Sequence, residues 1–575
     1  MRHKRRGQVS PAFRQHRNAL RIRRITMTFP GLGGAADSLM ARRPDGLIHG
    51  LDDKPQALTL AALGLQHFMV AAPNLAIVVM ICRAAGVDAA TAEGVLSFSL
   101  IVLAIATLVQ CSRRLGSGYF IVACNSGIYL SASLAAAAGG LPVVCGMTLV
   151  AGIFQAFFAS LLVRARRFFP NEIVALSIII VGIEIGVIGL TRLSGAGVPG
   201  LVVGGATFFV SVVFGVFGRG SWRLYCSLLG MSCGYLMHLA SGIPGPGSAG
   251  DAFSSALFGL PSFAHLKLEF DLGYLLPFLF AAVAASLKTM GAVDICARIN
   301  DAAWVRPEIR AIRRGVLADG LSTALSGMFG STGTNSSTSS VGVSHASGAT
   351  SRVIGIAVAA WMLAFALSPA FTHLVVNLPD PVVGGTLVFT GCLVIANGFQ
   401  ILGTVPMDMR RAGVVAFPLL VAIARVANAP LFAQLPDSVK PLMSSALAIG
   451  VFTALLVNAF LSWGNARRAT IALDPAHPVG EQLRRVERIL REWNVAHNVK
   501  VRVMLTLREL LDEHASSLKL EFNGCTLHVN LTRTGSSQDA QTTPHGRFFS
   551  DRVSDAMARR KRADGSSVIS LCFEQ

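Results

Sequence analysis

Residues 334–352, TNSSTSSVGVSHASGATSR, concentrate groups able to hold a small polar molecule, and they lie between long apolar segments. The stretch is too polar and too rich in Gly and Ser to cross a bilayer as an ordinary helix. Broken backbone at membrane depth persists only where protein or a water-filled cavity surrounds it. In transporters such interruptions hold the substrate, because unwound amides and half-helix ends supply polar groups near the midplane. The hydroxyls of Ser336, Ser337, Thr338, Ser339 and Ser340 can both donate and accept, and they could equally serve to satisfy the broken backbone itself. Two ionisable residues, Glu184 and Lys288, stand inside apolar segments. A charge at the bilayer centre costs at least ~2.5–3.5 kcal/mol on insertion scales, so each needs a partner, a cavity or neutralisation. The chemistry these groups suggest is binding. No Ser/His/Asp, metal-ligand or phosphate-loop constellation stands out, so neither an enzyme nor a cofactor is expected.

Such groups need a membrane-embedded frame. The chain has 575 residues, 52% hydrophobic and 14% charged, with a mean hydropathy of +0.57, against roughly 25% charged in soluble domains. Apolar stretches long enough to span begin near Ala57, Ala90, Tyr119, Leu141, Asn171, Leu201, Ser221 and Leu272, then near Arg314, Ser337, Val353, Pro381, Ala412 and Leu442. That is about fourteen, the expectation being an all-α polytopic membrane protein. The third (YFIVACNSGIYLSASLAAAAGG) and tenth are weakened by small and polar residues and lie seven spans apart. Matching weak segments in two halves mark a transporter built from repeats, and an odd number of spans per repeat would invert the second half.

The net charge of +19 is distributed as arginines in alternate loops, which argues against nucleic-acid binding. Arg113 and Arg114, Arg164 to Arg167, Arg219 and Arg223, Arg298 to Arg313, Arg352, and Arg410 with Arg411 alternate with nearly bare loops. That pattern places both termini in the cytoplasm, in a cell membrane with anionic lipid. Residues 1–50 read as a basic cytoplasmic arm without the apolar core of a signal peptide. The longest non-cytoplasmic loop, from about Ser241 to Asp271 and rich in Gly and Pro, could carry a short lid. The cysteines, without a CxxC pair, read as small buried hydrophobes. Residues 475–575 read as a small α+β module: two amphipathic helices, a hairpin around Asn523-Gly524 and a closing strand, SSVISLCFEQ.

Several motifs in collinear order between about residues 51 and 464 resemble the nucleobase–ascorbate transporter family, also called nucleobase:cation symporter-2 or uracil/xanthine permeases. They are LDDKPQALTLAALGLQHF with Leu65, Gln66 and His67; FPNEIVALSIIIVGI; SLKTMGAVDICARIN from Ser286; RRGVLADGLSTALSGMFGSTGTNSSTSS; SSVGVSHASGATSR from Ser339; and PDPVVGGTLVFTGCLVIANGFQIL from Pro379. The resemblance implies two inverted seven-helix repeats. Spans 1–4 (about 55–163) and 8–11 (about 271–375) would form a core, and spans 5–7 (about 168–242) and 12–14 (about 380–464) a gate. Spans three and ten would each start as a short strand and continue as a half-helix, aiming two positive dipole ends at one spot.

The resemblance also implies site residues. The family's carboxylate in span eight corresponds to Lys288, and the polar anchor opening span ten to Ser339, followed by Ser340; Gly342 is kept and the family's Thr becomes Ser347. The aromatic residue of span three falls at Gly127, after Asn125 and Ser126, with Tyr129 two residues on as a replacement. A charged Lys288 donates where a carboxylate accepts, which favours an acidic substrate such as urate or xanthine anion. The alternative is that it only pairs with an acid, Asp294 or Glu184. His67 is either a structural hydrogen-bonder between helices or part of the site, and Glu172 is expected to be solvated. Lys288 and Glu184 are the candidates for coupling to protons or sodium, and uncoupled exchange stays open. The implied function is a permease for a nucleobase such as xanthine, urate or uracil. An organic or inorganic anion carrier of the same fold, and a transport-inactive membrane sensor, stay as alternatives. The family's gate helices allow a homodimer. The tail is similar to a histidine-kinase-like ATPase module, but Glu513 falls where such ATPases hold magnesium through Asn and no DxGxG follows. The expectation is therefore a degenerate regulatory or assembly module without nucleotide.

Overall fold

The computed structural model describes residues 43–574 apart from 242–257, most of 429–444, 534–555 and shorter breaks elsewhere. Most of the arm at residues 1–50, most of the proposed lid, the Asn523-Gly524 turn and Glu513 therefore lie outside the described residues.

The apolar stretches fold as helices because a bilayer offers no water to backbone amides, so each segment must satisfy them internally. In chain order they are α1 (Ala57–Ala84), α2 (Ala89–Cys111), a strand β1 (Ala123–Asn125) leading into the half-helix α3 (Leu130–Ala136), and α4 (Leu141–Ala165). Next come α5 (Asn171–Gly195), α6 (Gly197–Phe217), α7 (Cys226–Ser241), α8 (Leu275–Asn300) and α9 (Ile309–Met328). Strand β2 (Thr334–Ser336) leads into α10 (Thr338–Ser347), followed by α11 (Arg352–Ala366), α12 (Pro369–Val376), α13 (Asp380–Leu402), α14 (Met409–Ala427) and α15 (Ala446–Ser462). Seven described helices are long and apolar enough to cross a membrane, or eight if α11 and α12, bent by 80° at Ser368-Pro369, count as one span. Several of the remaining stretches are short or carry arginines: α7 has 16 residues, and α9 holds Arg310, Arg313 and Arg314.

Helix ends are fixed by the side chains the sequence supplies. Asp88 accepts from the Thr91 amide at the start of α2, Ser351 from Val353 at the start of α11, and Asp408 from Arg411 at the start of α14. Two helix pairs approach closely through glycine. Between α4 and α9, a Cβ on Gly152 would stand 2.1 Å from the Ala324 nitrogen, and one on Gly327 2.5 Å from that of Leu149. Between α5 and α13, a Cβ on Gly182 would stand 2.9 Å from the Gly391 oxygen. Small residues at such crossings bring backbones together where lipid supplies no hydrophobic drive.

The tail has its own apolar core. Strands β3 (Arg467–Ala472), β4 (Ala515–Phe522), β5 (Thr526–Arg533), β6 (Ala556–Lys561) and β7 (Ser567–Glu574) form one antiparallel sheet in the order β3-β4-β5-β7-β6. Helices α16 (Val479–Glu492) and α17 (His497–Leu510) pack Val486, Leu490, Val503 and Leu507 against Leu518, Leu531 and Phe573 of the sheet. The hairpin and closing strand are where the pattern put them. Both edge strands, β3 and β6, were not anticipated. RRATIA in β3 is mostly exposed, so it carries little of the apolar alternation that marks a strand.

Candidate functional site

The two broken segments meet. β1 pairs antiparallel with β2, with Ala123 opposite Ser336, Cys124 opposite Asn335 and Asn125 opposite Thr334. The ladder extends by one bond at each end, Ser126 N to Gly333 O at 2.9 Å and Ser337 N to Val122 O at 2.9 Å. Each strand turns into its helical half through a serine: the Ser126 hydroxyl accepts from the Ile128 amide, and the Ser337 hydroxyl from the Ser340 amide at 3.2 Å. The first amides of α10, on Thr338 and Ser339, have no intrahelical partner and no other acceptor among the described residues. They are donors at the positive end of a helix dipole, suited to a carbonyl oxygen or an anion.

A buried polar network fixes the crossing. Asp319 of α9, 1% exposed, accepts from Thr289 Oγ1 at 2.5 Å and Ser336 N at 3.0 Å through one oxygen. Its other oxygen accepts from Gln110 Nε2 at 2.7 Å and Ser336 Oγ at 3.1 Å. Asn335 donates to Ala285 O and Thr289 Oγ1, tying β2 to α8, while Asn125 donates to Ser99 Oγ and Thr332 Oγ1, tying β1 to α2. Asp319 was not singled out in the sequence, although it is the sole acid of α9 and the same rule that flagged Glu184 would have found it.

The expected site residues separate into distinct environments. Lys288, on α8, is half-buried, and its ammonium makes no hydrogen bond or ion pair among the described residues. It lies close enough to Cys124 of β1 to act on it electrostatically. Neither suggested acid pairs with it: Asp294 bonds Arg298 at 2.8 Å, and Glu184 accepts from the Ala446 amide at 2.9 Å, capping α15. Ser339 is exposed, whereas its neighbour Ser340 is buried and bonds His67 Nδ1 at 2.8 Å. His67 is fully buried, edge-on to Phe120 at 4.7 Å, so it joins α1 to α10. Ser126 is buried in its capping role, and Gly127 faces α5, where a Cβ would meet Ile185 Cδ1 at 2.4 Å.

Tyr129 is buried in full, donates its hydroxyl to Gln155 at 3.0 Å and packs its ring where a Cβ on Gly333 would stand, 2.3 Å away. Tyr129, at the N-cap of α3, is therefore a buried packing residue against β2. Glu172, expected in solvent, is instead 5% exposed and pairs with Arg411 at 2.9 Å, because the start of α14 closes over the start of α5. Cys392, expected buried, is exposed.

A model of a permease family, for xanthine and uracil carriers, matches residues 58–430. The chain is similar to the xanthine permease XanP of Escherichia coli K12, 26% identical over 72% of this chain and 94% of that protein. It is also similar to the uric acid permease PucK of Bacillus subtilis, 24% identical over 73% of this chain and all of that one. The solved transmembrane domain of a cyanobacterium bicarbonate transporter, BicA, superposes with a TM-score of 0.44 at 16% identity, covering 71% of this chain and 98% of that domain.

Proposed function

Because the chain belongs to the xanthine/uracil permease family, the nucleobase:cation symporter-2 group, we propose that it carries a nucleobase such as xanthine, urate or uracil, and favours an anionic form. One observation carries the preference for an anion: the half-buried Lys288 ammonium without a protein partner among the described residues, on the helix that flanks the β1–β2 crossing. An unpaired charge at that depth is costly unless water or a ligand attends it. Lys288 would donate to an anionic edge of the base, and the Ser339 hydroxyl and the α10 amides would read adjacent oxygens. Ser126 and Gly127 would shape the opposite wall, Tyr129 and Ser340 with His67 holding the two half-helices. The similarity to XanP, a xanthine permease, and PucK, a uric acid permease, weighs toward a nucleobase over an inorganic anion.

The frame is then two inverted seven-span repeats, with α1–α4 and α8–α12 a core that moves against a gate of α5–α7 and α13–α15. Glu184 of α5, which caps the start of α15, and Lys288 are the candidates to couple that movement to a proton or sodium. Both termini lie in the cytoplasm of a cell-membrane protein, the gate helices allow a homodimer, and residues 475–575 act as a regulatory or assembly module. The test is uptake of radiolabelled xanthine, urate and uracil by the full chain in proteoliposomes, with Lys288→Ala beside it. A charge-assisted hydrogen bond is worth ~1.5–3 kcal/mol, so the variant should transport roughly ten- to a hundredfold less efficiently. Wild-type kinetics in Lys288→Ala would remove the anion preference, and saturable binding without flux would turn the protein into a sensor.

A further inference from the structure

Residues 46–53, ahead of the first helix, lie along the loop that ends the substrate half-helix α10. The amides of Ile48 and His49 both donate to Gly348 O, at 2.8 and 2.9 Å, and Thr350 N returns a bond to His49 O at 2.8 Å. Arg352 N donates to Leu51 O at 3.1 Å, and the Ser351 hydroxyl to Asp53 O. The result is a short parallel pairing between segments about 300 residues apart in sequence. Gly348 makes it fit: its φ is +64°, and a Cβ there would stand 2.7 Å from Gly46 O. Asp52 anchors the pairing, with one oxygen on Arg352 Nη1 at 2.5 Å and the other on Arg113 Nη2 at 2.6 Å. Thr350 in turn donates to Asn300 at 2.6 Å, the last residue of the helix that carries Lys288. Thus the strap joins the ends of α2, α8, α10 and α11.

We propose that residues 46–53 are a strap that positions the substrate half-helix α10, with Asp52 as its anchoring, positioning residue. The inference rests on the reading that α10 lines the substrate path. Asp52 touches no substrate group. It fixes the strap to Arg352 and Arg113, and the strap's backbone bonds to Gly348 and Thr350 carry that hold to the far end of α10 and, through Thr350, to Asn300 at the end of α8, so the lateral setting of Ser339 against Lys288 depends on it indirectly. Its side chain is 71% exposed, so the anchor is weak enough to be released and is screened by salt.

The experiment compares wild type, Asp52→Asn and Asp52→Glu in proteoliposomes, measuring KM and kcat for radiolabelled xanthine at low and high salt. A Ser339→Cys reporter, labelled by an impermeant maleimide over the native-cysteine background, follows the half-helix directly. Release of the anchor should raise KM by roughly two- to fivefold and change the Ser339→Cys labelling rate by a similar factor, with the amount of folded protein unchanged and Asp52→Glu restoring both. Salt should raise the wild-type KM by a larger factor than that of Asp52→Asn, in which only the substrate's own charge contacts remain to be screened. Identical KM, labelling and salt response in wild type and Asp52→Asn would overturn the strap, as would a loss of folded protein that accounts for the whole change. Lys288→Ala in the same preparation separates the two readings. If it transports normally, the site reading fails. If it is impaired while Asp52→Asn is unaffected, only the strap fails.

Discussion

Replacing Asp319 by Ala removes the acceptor on which the β1–β2 crossing depends. Of its four donors, two retain other acceptors. Thr289 Oγ1 already bonds Ala285 O at 3.0 Å, and Gln110 Nε2 also reaches Gly315 O at 2.9 Å and Ser336 Oγ at 3.1 Å. The Ser336 hydroxyl loses its acceptor but can rotate, whereas the Ser336 amide, which donates to Asp319 at 3.0 Å, is fixed by the backbone and has no other acceptor among the described residues. One buried, unsatisfied N–H costs ~1–3 kcal/mol, and the vacated volume adds a cavity term, so a loss of about 2–4 kcal/mol is expected. Asp319→Asn keeps the volume and relieves a buried charge. Gln110 cannot simply flip its amide to meet the new donor, because its Oε1 accepts from Ser117 N at 3.3 Å. The Asn NH2 therefore faces a donor at one oxygen position or the other, and the expected cost is about 1–2 kcal/mol. Thermal unfolding of the purified protein reads the stability, and xanthine uptake reads the crossing. Asp319→Ala should lower both, and Asp319→Asn should lower both less. A variant Asp319→Ala that melts with wild type and transports at its rate would refute the claim that this carboxylate sets the register of β2.

Four further substitutions test the packing of the helices. Gly152→Leu should abolish monodisperse protein in size-exclusion chromatography, since even a Cβ there lies 2.1 Å from the Ala324 nitrogen, whereas Gly186→Ala, with nothing within 4 Å, should be tolerated. Glu172→Ala should lower the midpoint of thermal or denaturant unfolding by removing the 2.9 Å ion pair with the buried Arg411, and Glu172→Gln should lower it less. An unchanged melting temperature in Glu172→Ala would show that the pair is dispensable.

Much of this architecture is legible along the chain. The small polar residues at 334–352 and around 125 announce interrupted segments, and both are strands running into half-helices. Lys288 and Glu184 stand out because an ionisable residue in an apolar run is conspicuous by itself. The alternation of LKLEF and TLHVNLTR forecasts a hairpin, and the two strands pair in it. The exposed edge strands of the tail escaped because edges bury too little to need a pattern.

Sequence by itself determined which segments are apolar enough to leave water and where their backbones must break, since both follow from transfer energies and local conformation. Tertiary structure alone decided how those breaks are used. It turned Ser340 to His67 and left Ser339 open, drew Tyr129 into the interior, and gave Glu184 to α15 instead of to Lys288. Hydrogen bonds depend on tenths of an ångström between residues hundreds of positions apart, and periodicity along a chain carries no such distances.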